Sequence, residues 1–139
     1  MVDDRSRRSV VVPVADESAE SATAALELAL AEFGAVGIEV ERVMTDNAWA
    51  YRSKDYRAAL AGRRQTRTRP YRPQTNGKAE RFIGTLVREW AYARTYPTNA
   101  ARLAALPVFV EFYNHRRPHT ALGGLSPAAV VNNVHGDHN

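Results

Sequence analysis

"GIEVERVMTDNAWAYRSKDYRAALAGRRQTR", residues 37–67, reads as strand, helix and strand in one short run. Ile38 and Val40 alternate with polar neighbours, and Arg42 and Met44 continue the period of two less cleanly, which predicts a strand ending at Asp46. "KDYRAALAG", residues 54–62, predicts a short helix closed by Gly62. "RRQTRTR", residues 63–69, is polar enough for a strand at a sheet edge. Strands mixed with covering helices define an α/β layer architecture.

Both flanks extend that pattern. From Ser18 onward, Ala22, Ala25, Leu26, Ala29, Leu30 and Phe33 recur at three- and four-residue steps, predicting an amphipathic helix stopped by Gly34 and Gly37. "SVVVPV", residues 9–14, predicts a further strand whose Pro13 cannot donate to a ladder. Downstream, Ala79, Phe82, Ile83, Leu86, Val87, Trp90 and Ala91 form an apolar stripe, predicting one helix from about Asn76 to Arg94. Residues 100–114 predict a helix interrupted or restarted at Pro107, and "HRRPHTALGGLSPAAVVNN", residues 115–133, a loop and then a short helix.

The 139 residues suffice for one compact domain with a core, and their 45% apolar and 24% charged content is ordinary for a globular chain. There is no cysteine, which excludes disulfides and thiolate zinc sites and fits a reducing compartment. No spanning helix or secretory signal is visible, so a cytoplasmic protein without membrane contact is expected. The net charge of +4 conceals a segregation: residues 1–41 carry three arginines against nine acids, whereas residues 42–94 carry thirteen bases against four. Such a concentration of cations attracts polyanions, which makes nucleic acid the leading partner; a merely solvated basic face is the alternative.

Two carboxylates stand out in that basic third. Asp46 falls where a predicted strand ends, and such strand ends hold ligands in open α/β sheets. Glu80 falls at the head of the stripe-bearing helix, beside Ile83 and Val87, and is expected to face the sheet edge rather than bulk water. A pair of carboxylates in a basic groove suits Mg²⁺, which is commonly held by one or two carboxylates together with phosphate oxygens. Two ions about 3.5–4 Å apart would clamp the attacking and leaving oxygens of a phosphoryl displacement, while the surrounding arginines hold the DNA backbone. The structural alternatives are a turn-forming Asp and a Glu that complements a helix dipole.

Three ordered blocks, "VMTDNAWAYRS" (43–53), "RTRPYRPQTNGKAERFIGTLVREWAYA" (67–93) and "FYNHRRPHTALGGLSP" (112–127), resemble the catalytic core of insertion-sequence transposases in the retroviral-integrase superfamily. The resemblance implies a ribonuclease H-like mixed sheet flanked by helices and a Mg²⁺- or Mn²⁺-dependent polynucleotidyl transferase with an Asp, Asp, Glu triad and two metal ions. It makes Asp46 the second acid and Glu80 the third, both catalytic and metal-binding. It also places Asn47 beside the metal site, and Pro73, Gln74, Asn76, Gly77 and Lys78 in a loop that shapes the site and touches DNA. With the arginines nearby, the DNA-binding candidates are Arg69, Arg72, Gln74, Asn76, Lys78 and Arg81.

"VDDRSRRSVVV", residues 2–12, resembles the family's Asp-Asp-x-Ser-Arg turn, which follows the second strand of the sheet. The first strand and its catalytic Asp are therefore expected to be missing, with Asp3 and Asp4 in a hairpin turn. The interval from Asp46 to Glu80 is shorter than the family's, and Ala48 stands where the family often has Gly. Residues 1–127 are expected to form a partial catalytic core and residues 128–139 a polar tail, with His135 and His138 disordered. The partners implied are transposon-end and target DNA and, for a full-length protein, further copies of itself. The alternative to a transposase is a catalytically dead DNA-binding or oligomerisation remnant.

His115 and His119 have a zinc-like spacing but sit in a proline-containing loop. Arg116, Arg117 and His119 match the family's Tyr-Asn-x-x-Arg-Pro-His block and are expected to pack the C-terminal segment, contact phosphates or remain solvated. Trp49, Tyr51, Trp90, Tyr92, Phe112 and Tyr113 could stack on unpaired bases, although helical spacing favours core packing for Trp90 and Phe112.

Overall fold

The computed structural model describes residues 1–68 and 77–136, with side chains through Asn133. These residues form two compact units, one of residues 10–77 and one of residues 1–9 with 78–139.

The unit of residues 10–77 is built on helix α1 (Ala19–Ala35), which begins where the Ser18 side chain accepts a hydrogen bond from Ser21 N–H. It ends ahead of Gly37, whose φ of +81° disfavours any side-chain-bearing residue. Strand β1 (Arg42–Thr45) follows, then a 3₁₀ turn (Trp49–Arg52), helix α2 (Lys54–Ala59) and strand β2 (Arg64–Arg67). The strands pair in parallel, Arg42 opposite Arg64 through Thr45 opposite Arg67. Ser53 caps α2 through a bond from Tyr56 N–H, and Gly62 at φ +84° turns the chain back toward β2. The helix serves as the crossover that a parallel pair requires.

The core lies where α1 meets β1 and α2. Leu26, Val43, Tyr56 and Leu60 form one buried cluster, and Val10, Ala29 and Phe33 a second, joined by partly buried Val40. The predicted α1 stripe is therefore the face that packs. The phase of β1 differs from the expectation: Val43 and Thr45 are buried, whereas Arg42 and Met44 point outward, Met44 being 43% exposed. The alternation that starts at Ile38 slips by one residue before Val43, and a one-residue slip exchanges the two faces of a strand. The strand expected at residues 9–14 is also absent among the described residues; Ser9 makes an isolated antiparallel bridge with Val2, and the chain from Pro13 to Glu17 is exposed. Pro13 has no N–H for a ladder.

In the other unit, residues 1–9 form the expected hairpin turn. Asp3 N–H bonds Arg8 C=O at 2.8 Å and Arg7 N–H bonds Asp3 C=O at 2.9 Å, while Asp3 Oδ2 accepts from Ser6 N–H and Ser6 Oγ. Helix α3 (Gly77–Leu86) continues into a π-helical turn (Val87–Ala91) closed by Tyr92 N–H on Val87 C=O at 3.0 Å. Helix α4 (Asn99–His115), capped by Thr98, runs unbroken through Pro107. No restart occurs because the ring points outward and the carbonyl it releases belongs to exposed Leu103, where water can satisfy it. A loop with a 3₁₀ turn (Thr120–Leu122) leads to α5 (Pro127–Gly136). This is the short helix expected there; it buries Ala128 and Val131, and its backbone runs past His135, while His138 lies outside the described residues.

The core of this unit is aromatic. Tyr113 meets Phe82 edge-on at 4.8 Å, His119 edge-on at 4.7 Å and Phe109 at 6.2 Å. Phe112, expected inside, is 42% exposed because the packed face of α4 is that of Leu106, Phe109 and Tyr113. The apolar stripe of α3 is split likewise: Phe82 and Thr85 are buried, while Ile83 and Val87 are 56% and 43% exposed.

Candidate functional site

Asp46 is the first residue beyond β1 and is exposed. Its Oδ1 accepts from Ala48 N–H at 2.8 Å, an Asx turn that bends the chain away from the sheet. Asn47 Nδ2 donates to Thr68 C=O at 2.9 Å, tying the exit of β1 to the exit of β2. Behind it, Gln65 Nε2 bridges Thr45 Oγ1 and Tyr51 C=O at 3.2 and 2.9 Å. The segment that carries Asp46 is thus fixed by three side-chain amide bonds and one Asx turn. Burial, and then the charge of Asp46, raises the pKa of Tyr51; burial pushes Tyr56 up to about 12. Trp49, three residues past Asp46, is 73% exposed.

Glu80 occupies the first turn of α3 and is exposed, contrary to the expectation that it would turn from bulk water. The buried edge of α3 is that of Phe82 and Thr85, and Glu80 shares the opposite flank with Ile83 and Val87. Among the described residues its carboxylate makes no hydrogen bond or ion pair. Asp46 belongs to the unit of residues 10–77 and Glu80 to that of residues 78–139. No group of three or more His, Cys, Asp or Glu suited to a metal occurs among the described residues, the His115/His119 pair included.

Of the DNA-binding candidates, Arg69, Arg72, Gln74 and Asn76, and Pro73 with them, lie outside the described residues. Lys78 lies at the start of α3 and donates to Asp4 Oδ1 at 2.5 Å and Asp4 C=O at 3.1 Å, in an exposed ion pair. Arg81 is exposed.

Two structural anchors were not foreseen. Asn114 is buried and bonds the backbone of Ser9 reciprocally, Oδ1 accepting from Ser9 N–H at 2.8 Å and Nδ2 donating to Ser9 C=O at 2.9 Å. Glu89 accepts a fork from Arg117 at 3.0 and 2.7 Å, and the Arg117 guanidinium lies 5.8 Å from the Tyr113 ring centre. Arg117 therefore packs the C-terminal segment. The fork holds Glu89 below its usual pKa, whereas burial and then the nearby Arg117 charge lower that of His119. The signal for Glu89 was present: it and Glu80 are the only acids between Asp55 and Glu111.

This arrangement has relatives. A chain of the simian T-cell lymphotropic virus intasome superposes on 94% of this chain with a TM-score of 0.71 and 24% identity, covering 46% of that chain. The catalytic core domain of BIV integrase superposes with a TM-score of 0.64 and 24% identity over 94% of this chain and 80% of its own. The fold is the ribonuclease H-like fold of integrase catalytic cores. Integrase core domain families match residues 1–73 and residues 61–127, and the chain belongs to the integrase core family. Among curated proteins, transposase InsD for insertion element IS2A/D/F/H/I/K of Escherichia coli is 34% identical over 86 residues, 60% of this chain and 29% of that protein. InsD of the IS2 element on the F plasmid matches to the same extent. The matched segment spans less than a third of the length of these two transposases. No helix among the described residues is long and apolar enough to cross a membrane.

Proposed function

We propose that this chain is the catalytic-core part of a transposase that cuts and joins DNA at phosphodiester bonds with divalent metal ions, Asp46 and Glu80 being two of its metal-binding carboxylates. The observation that carries this reading is the placement of both acids within family-matched segments, exposed, one beyond a parallel strand and one in the first turn of a helix. Their donor chemistry fits Mg²⁺ or Mn²⁺, which prefer carboxylate oxygens. Asp46 Oδ2 and both oxygens of Glu80 are uncommitted among the described residues. Bound divalent ions would supply electrostatic stabilisation of the oxygens that enter and leave the phosphorus.

The chain's own residues do the rest. The Asx turn and the Asn47–Thr68 bond hold the Asp46 carboxylate at a fixed point, which spares the cost of ordering it when substrate arrives. The bases of residues 42–94 bind the phosphodiester backbone on both sides of the cut. Expected substrates are transposon-end and target DNA, and further copies of the full-length protein are expected partners.

The test is Mg²⁺-dependent cleavage and strand transfer on transposon-end duplexes. Asp46→Ala and Glu80→Ala should each abolish both while retaining DNA affinity; retained strand transfer in either variant refutes the assignment. A second reading, a catalytically inactive DNA-binding or oligomerisation module, is favoured by the thirteen bases against four acids in residues 42–94, which would hold a polyanion whether or not the acids bind metal. Such a module would bind DNA with a steep salt slope and show no metal-dependent nicking in the parent chain.

A further inference from the structure

The stretch from Trp90 to Val110 contains no acid, carries Arg94 and Arg102, and begins in the π-helical turn. Its side chains form a stacked platform. Arg102 lies 5.6 Å from the ring centre of Tyr92 and 5.5 Å from that of Tyr96, and Arg94 lies 4.9 Å from Tyr96 on its own account. Three contacts lock the backbone beneath: Trp90 Nε1 donates to Arg102 C=O at 2.9 Å, Tyr96 Oη donates to Trp90 C=O at 2.9 Å, and Tyr92 N–H closes the π turn. Despite this order the platform is not buried. Tyr92 is 74% exposed, the highest value among the large apolar and aromatic residues that are described. The Arg102 Nε is buried without a hydrogen-bond partner among the described residues, and none of these cations has a carboxylate partner there.

An exposed ring held by an arginine, with a second arginine beside it and neither cation paired to a carboxylate among the described residues, Glu89 being engaged by Arg117, has the chemistry of a stacking surface for a base next to a phosphate. A purely structural cluster would bury its ring or pair its cations, as Tyr113 and Arg117 do. We infer that Tyr92, Arg94 and Arg102 form a contact site for unpaired nucleic acid, with Tyr92 stacking a base and Arg94 and Arg102 holding the adjoining phosphate. The inference rests on the reading of this chain as DNA-binding and adds a contact separate from Lys78 and Arg81. The functional corollary is a grip on frayed or single-stranded DNA, which a strand-joining core meets at cut ends.

The test uses the whole chain and fluorescein-labelled 20-mers, single-stranded and blunt duplex, with anisotropy read across a salt series. Tyr92→Ala should weaken single-strand binding about tenfold and duplex binding less than twofold, and Tyr92→Phe should restore it. Arg94→Glu should weaken both and lower the salt slope by about 1. An unchanged thermal melt confirms that these exposed variants fold. The inference is overturned if Tyr92→Ala binds single strands like the parent, or loses both probes equally, or if the parent binds neither probe. The Lys78→Glu/Arg81→Glu variant separates the two contacts: if it binds like the parent while Tyr92→Ala does not, the contact at the start of α3 fails and the platform stands.

Discussion

The two ends of the α3 segment carry glutamates nine residues apart whose surroundings are opposite. Glu89, at the π-helical end, is held by the Arg117 fork on one side of a buried aromatic core. Glu80, at the N-terminal end, is exposed and has no bonded partner among the described residues. A carboxylate that serves the fold is neutralised where it sits, since an unpaired charge near a core is costly. One left open in a basic segment gains nothing for stability and is available to a ligand. Asp46 is intermediate: one oxygen holds a turn and the other is open.

The comparison is broken most severely by activity. Glu80→Gln should reduce metal-dependent cleavage by about a thousandfold or more, several kcal/mol of lost charge stabilisation, with the melting temperature unchanged. A melt that fell with activity would mean that Glu80 serves the fold after all. Next comes Asn114→Ala, which leaves Ser9 N–H and C=O buried without partners; urea unfolding should show a loss of about 2–4 kcal/mol. Glu89→Gln keeps the shape of the fork and removes its charge. Because the pair is partly solvated, the expected cost is about 1 kcal/mol, or a few degrees in a thermal melt, with DNA binding unaffected.

The smallest effect is the pH profile. His119 has a pKa below its usual 6.5, so the folded state prefers it neutral; the stability this supplies is full above 6.5 and is lost as pH falls through the lowered value. Glu89 is held below its usual 4.5, so its contribution is present above 4.5 and disappears as pH falls further. Unfolding followed by Tyr and Trp fluorescence should therefore show two successive acid losses, the first absent in His119→Gln and the second in Glu89→Gln.

The segment from Ser18 to Arg67 was largely legible because its cues are local: a helical apolar period and glycines that stop each helix. The failures have longer-range causes. Met44 and Val43 exchange faces because a one-residue slip leaves composition untouched while reversing what α1 packs against. Pro107 reads as a break only if the released carbonyl is assumed to be buried. The inward direction assigned to Glu80 failed because a stripe as wide as that of α3 contains two flanks, and only packing selects one. Asn114 was invisible, since its partner, Ser9, is 105 residues away and uses only backbone atoms. Asp46 and Glu80 stood out by their positions in a basic segment, but it was the motif that gave them the second and third places in a triad, and those roles are proposals of the same origin.

The π-helical turn has a geometric corollary. Its i→i+5 closure spends one residue more than an α turn, so everything after Val87 is rotated by about 100° around the axis relative to an uninterrupted helix. Deleting a single residue between Val87 and Ala91 would tighten the coil without moving Glu80, yet would swing Tyr92 off its arginine and point the link to α4 elsewhere. The extra residue is thus a setting of azimuth: it leaves the head of the helix alone and aims the tail.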